Sequence, residues 1–210
     1  MKSLNMLLAA GAVTLAGGAA NAATYYATTV ESVSPGLCDT AYQDPIQRQC
    51  SKEPSRYVPS NALGERDGNF YSLGLTTDEQ EGSITLGFGD TFTGGHNAGV
   101  WEVTYNISPS NPHREAVDVY SILGGVSTFL GRLTNLAGGG MLRTGGAFEY
   151  IKLVDATLDE FGRDGTTSFD GFDVDSVSVA PVPLPAAGLM LLAGLGGFAA
   201  MRRRKNAAAA

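Results

Sequence analysis

Val100-Trp101-Glu102-Val103-Thr104-Tyr105-Asn106-Ile107 is rich in β-branched and aromatic residues and alternates along its length. A period of two places Trp101, Val103 and Tyr105 on one face and Glu102 and Thr104 on the other, the pattern of a half-buried strand with Trp101 in the core. The same chemistry recurs on both sides of it. Thr24 to Val30, Ser83 to Phe88, Ala116 to Ile122, Phe148 to Val154 and Val174 to Val179 are short apolar runs separated by Gly, Asn, Asp and Pro clusters. No helical period is convincing between Ala23 and Pro181. Short strands joined by such loops predict an all-β fold, an antiparallel β-sandwich of jelly-roll type, with a less regular stretch near the N-terminus.

The two ends of the chain carry a different signal. Lys2 precedes the apolar run Met6 to Ala16, and Ala20-Asn21-Ala22 forms an A-x-A site, so residues 1–22 read as a signal peptide cleaved between Ala22 and Ala23. At the other end, Ala186 to Met201 contains only Ala, Gly, Leu, Met and Phe. As a helix, these 16 residues would cover about 24 Å, and the 20 from Val182 to Met201 approach the thickness of a bilayer core. Arg202, Arg203, Arg204 and Lys205 then form a basic stop, which the positive-inside rule puts on the cytoplasmic side. One transmembrane helix is therefore expected, and the domain before it, 23–181, is expected outside.

With both ends set aside, the domain holds 9 basic and 21 acidic residues, a net charge of −12. Such a surface repels nucleic acid and anionic lipid and suits cations or neutral sugars. Cys38 and Cys50 are the chain's two cysteines, and in an oxidising compartment they are expected to form one disulfide.

Val182-Pro183-Leu184-Pro185-Ala186, the apolar span and the Arg-rich end together resemble the VPLPA variant of the PEP-CTERM sorting signals, over residues 182–205. Leu184 stands where the name-giving form has glutamate, and residues 206–210 extend past the basic cluster as a short tail. The resemblance implies an exosortase, an integral-membrane cysteine protease-transpeptidase, as partner. It would cut near Pro183-Leu184-Pro185 and pass the domain to the cell surface or extracellular matrix of a Gram-negative bacterium. The stretches Tyr57 to Gly64, Asp67 to Gly74, Ile84 to Phe88, Val100 to Val103, Tyr150 to Asp155 and Asp170 to Asp175 are similar to exported PEP-CTERM ectodomains, which implies a jelly-roll, cell-surface domain.

Acidic residues supply the candidate chemistry. Asp170, Asp173 and Asp175, with Asp155 and Glu102 as further candidates, offer hard oxygen ligands for calcium, and Gly171 permits a turn that aims carboxylates inward. The spacing is not that of an EF-hand. The alternative is that Asp170-Gly171-Phe172-Asp173 turns the chain and solvates an edge strand. Paired carboxylates would also serve a glycosidase, but an acid-rich domain offers many such pairs. His96 and His113 read as loop histidines, Gly94-Gly95 and Gly138-Gly139-Gly140 as turns, and no G-x-S-x-G elbow occurs. No cofactor is required. The expected function is a non-enzymatic structural protein of the cell surface or matrix. The alternative is a calcium-dependent module that binds exopolysaccharide.

Overall fold

The computed structural model describes residues 23–38, 54–103, 108, 112–182 and 196. The signal peptide, Cys50, and the sorting signal and basic stop apart from Val182 and Gly196 lie outside the described residues. Among the described residues, no helix is long and apolar enough to cross a membrane.

Among the described residues, ten strands form two sheets in which every pairing is antiparallel. The first contains β1 (Tyr25–Tyr26), β10 (Asp173–Pro181), β5 (His96–Glu102) and β8 (Gly139–Arg143) in that order, with β3 (Tyr71–Ser72) also paired to β10. The second runs β2 (Thr29–Ser34), β4 (Ser83–Phe92), β9 (Phe148–Asp155), β6 (Ala116–Leu123) and β7 (Val126–Thr134). Consecutive strands mostly change sheets. β6 and β7 instead form a tight hairpin turned at Gly124 and Gly125, where φ values of 55° and 81° favour glycine.

Alternation explains the packing. In β9, Ile151 and Leu153 are buried while Tyr150, Lys152 and Val154 are half-buried on the outer face. Ile84, Leu86, Val117 and Val119 join them from the same sheet, against Ala98, Val100, Val174, Val177 and Val179 of the other. Phe92 and Phe148, stacked at 5.2 Å, close one part of this core.

Residues 100–103, the described part of the stretch 100–107, adopt the opposite phase from the one the pattern predicts. β5 begins at His96 and buries Ala98, Val100 and Glu102, leaving Trp101 half-exposed with the Arg66 guanidinium 4.9 Å from its ring centre. Val100 faces the second sheet, and Glu102 follows it because the period is two. Three strands without a clear sequence signal, β3, β7 and β8, complete the sheets. α1 (Thr157–Gly165) departs from the all-strand reading of the sequence: it is short and broken at Gly162, where φ is 64°, so it carries no sustained period.

Candidate functional site

The predicted acidic ligands divide into three places. Asp155 ends β9 and binds the chain around it: the Thr76 and Phe172 amides and the Thr157 hydroxyl donate to its carboxylate at 2.9, 3.1 and 2.6 Å. Burial pushes its pKa up to about 6 in spite of these donors. Gly171 does make the expected tight turn, with φ 69°, and a Cβ there would come within 2.7 Å of Asp155 Oδ1.

Asp175 goes elsewhere. β10 is irregular against β5 between Val174 and Ser176, and Asp175 is the extra residue of that bulge, so it does not share a face with Asp173 as regular alternation requires. Its Oδ1 accepts the Asp67 and Gly68 amides at 3.1 and 3.4 Å. β10 is an interior strand, and Asp173 and Asp175 are 2% and 4% exposed, so neither solvates an edge.

Asp170, Asp173 and Glu102 meet in a buried cluster at one end of the sandwich, together with Glu115 and His113. Arg56, its guanidinium 5.0 and 5.8 Å from the ring centres of Phe70 and Phe169, donates from Nη1 to Asp170 Oδ2 at 2.6 Å. Ser72 Oγ lies 3.2 Å from that same oxygen and 2.5 Å from Asp173 Oδ1. Glu115 precedes β6 and is fully buried. His113 Nε2 is 2.9 Å from its Oε1, which also accepts from Ser168, while Asn135 donates to its Oε2 at 3.3 Å. Burial drives the Glu115 carboxyl well above its ordinary range, and Asp170 and Glu102 add like-charge repulsion. Asp173 rises for the same reasons, with Asp170 and Glu115 as its neighbours. Asp170 rises through burial, partly offset by the Arg56 cation.

Sequence reasoning missed Glu115, Arg56 and His113. His113 is no surface loop residue: its side chain is 14% exposed and ends on buried Glu115. The available signal was the i, i+2 spacing of His113 and Glu115 in extended chain just before an apolar strand, which turns both side chains the same way. His96 instead starts β5, with its ring against Phe92 and Phe148. Gly138 turns the chain in the left-handed region, but Gly139 and Gly140 belong to β8. Cys38 Sγ lies 3.0 Å from Tyr57 Oη, and its expected bridge to Cys50 falls outside the described residues.

A second site lies on the outer face of the β2-β4-β9-β6-β7 sheet. A cleft of about 580 Å³ is bounded by Thr29, Glu31, Gly87, Asp90, Glu149 and Tyr150. Two irregularities build it. The β2–β4 register shifts between Val30 and Ser32, which makes Glu31 the bulged residue, and the β4–β9 register shifts between Gly87 and Phe92, which loops out Asp90 and Thr91. Gly87 keeps the floor open, because a Cβ would meet Thr29 Oγ1 at 2.5 Å and Tyr150 Cδ1 at 3.3 Å. The pairings Tyr150 with Ile122 and Tyr120 with Phe129 continue this face across the sheet. Tyr120 and Phe129 stand 5.3 Å apart, and Phe129 is 55% exposed. Tyr150 thus stands beside three carboxylates and two threonine hydroxyls, while Tyr120, next to Phe129 and Lys152, lies farther along the same face.

No protein-family model matches the chain, and no curated protein matches it. Among solved structures it is similar to a truncated AlyQ with CBM32 and alginate lyase domains, with TM-score 0.43 and 14% identity over 79% of this chain and 35% of that one. It is also similar to the CBM32 of AlyQ in complex with 4,5-unsaturated mannuronic acid, with TM-score 0.39 and 14% identity over 73% of this chain and 96% of that one. A third is the family 32 CBM from C. perfringens NanJ in complex with galactose, with TM-score 0.36 and 16% identity over 75% of this chain and 99% of that one. The chain spans about a third of the length of the first of these.

Proposed function

We propose that this chain is an exported, non-catalytic carbohydrate-binding module displayed at the cell surface, and that it takes a neutral polysaccharide on the outer face of the β2-β4-β9-β6-β7 sheet. The observation that carries this reading is the cleft in which Tyr150 stands beside the Glu31, Asp90 and Glu149 carboxylates, with the Tyr120 and Phe129 rings farther along the same face. Sugar rings present apolar C–H faces and an equatorial belt of hydroxyls, so they pair with aromatic surface and hydrogen-bond acceptors side by side. The acidic surface disfavours uronic-acid polymers, because their carboxylates would face Glu31, Asp90 and Glu149. The Val182 to Lys205 signature supports delivery by an exosortase.

A glycan array and affinity electrophoresis test the reading. Binding to neutral polysaccharides is expected, weakened about tenfold by Tyr150→Ala or Phe129→Ala with unchanged melting temperature. Silence across neutral and acidic polymers would return the chain to a purely structural matrix role.

A further inference from the structure

We infer that His113, Glu115 and Asp170 form a binding site for a first-row divalent cation of the zinc or manganese type. The inference is independent of the carbohydrate reading, because it concerns the buried end of the sandwich and not the outer face. One donor atom from each of the three residues lies within 4.8 Å of the others. His113 Nε2 and Glu115 Oε1 are 2.9 Å apart, close enough for both to reach one ion at about 2.1 Å.

A second, independent observation concerns the Asp170 carboxylate itself. Asp170 is fully buried, and its Oδ2 is held by Arg56 and Ser72, but its Oδ1 takes no hydrogen bond. A buried carboxylate oxygen without a donor is costly, and a cation is the partner that removes the cost. The charges point the same way: Glu102, Glu115, Asp170 and Asp173 converge with one guanidinium and, when it ligates, a neutral imidazole, so a dication offsets most of the remaining negative charge. Ser168 and Asn135 on Glu115, and Arg56 and Ser72 on Asp170, hold the ligands in orientation as outer partners do in metal sites.

The imidazole decides the class of ion. Calcium takes six to eight oxygen ligands, whereas one imidazole with two carboxylates suits first-row dications. This differs from the calcium set expected from sequence, since Asp175 and Asp155 are engaged elsewhere and a nitrogen donor joins Asp170.

The test uses the full chain without an affinity tag, stripped with chelator and titrated with Zn2+, Mn2+ or Ca2+ by calorimetry and thermal melting. Zinc or manganese should raise the melting temperature in proportion to the logarithm of its concentration, with little response to calcium. Cobalt(II) should give a ligand-field spectrum and shift the ring signals of His113 but not those of His96, the chain's other histidine. His113→Gln should weaken binding at least about tenfold while His96→Gln leaves it unchanged. If His113→Gln does not fold, the cobalt shifts in the unmodified chain decide alone. No binding, stabilisation by calcium only, or cobalt shifts that bypass His113 would overturn the proposal and leave a cluster neutralised by protons.

Discussion

At the residue scale, the carboxylates of this chain behave according to what surrounds them and not according to their spacing. Asp155 illustrates the sign. Its folded pKa of about 6 lies above the ordinary 3.8, so between those values the native state keeps a proton that the unfolded chain releases. The stability this supplies is present below pH 3.8 and is lost as pH rises through about 6, amounting to about 3 kcal/mol at 1.36 kcal/mol per unit. Asp155→Asn should therefore flatten the pH dependence between about 4 and 6, measured by urea unfolding in chelator. It should also lower stability at pH 4 by about 1–3 kcal/mol, because the amide has too few acceptors for the Thr76, Phe172 and Thr157 donors. Parallel pH profiles for the two proteins would show that Asp155 does not hold that proton.

At the element scale, Arg132 joins α1 to the β6–β7 hairpin, while Thr157 holds its first turn to Asp155 and Ala116. Arg132 on β7 grips its cross-strand partner Asp118 from Nε and Nη2 at 2.6 and 2.8 Å, and reaches Asp159 and Glu160 of α1 at 2.7 and 3.0 Å. These carboxylates raise the Arg132 pKa further, the Asp118 hydrogen bonds most of all. Arg132→Ala should cost about 1 kcal/mol and speed amide exchange in Thr157–Gly165 while leaving β9 unchanged. Arg132→Lys should not restore protection, since an ammonium cannot make the two-pronged contact with Asp118. Uniform exchange changes would argue against this local role. The strands around it differ in how far they could be read in advance. β4, β6 and β9 have apolar alternation and were legible. β7 has an exposed first half and an interior Gly131, and β8 opens with two glycines, so neither carries the local pattern that marks a strand.

At the scale of the whole molecule, the sorting tail and the sandwich make separate predictions. Mass spectrometry of the cell-associated protein should place its mature C-terminus near Pro183-Leu184-Pro185, and recovery of an intact Arg202-Arg203-Arg204 end would overturn exosortase processing. Sequence alone determined the all-β class and the positions of the well-patterned strands, because alternation and β-propensity act over a few residues. It also determined the acidic character of the domain, which follows from composition alone. Which carboxylates act together was decided by the tertiary structure. Asp170 meets Glu115 and His113, more than fifty positions earlier, only when β6 and β10 close the two sheets, whereas Asp175, two residues past Asp173, is turned away by one bulge. The outward placing of Trp101 and the cleft at Gly87 have the same origin, since sheet pairing and register, set by non-local contacts, choose the face that a strand buries.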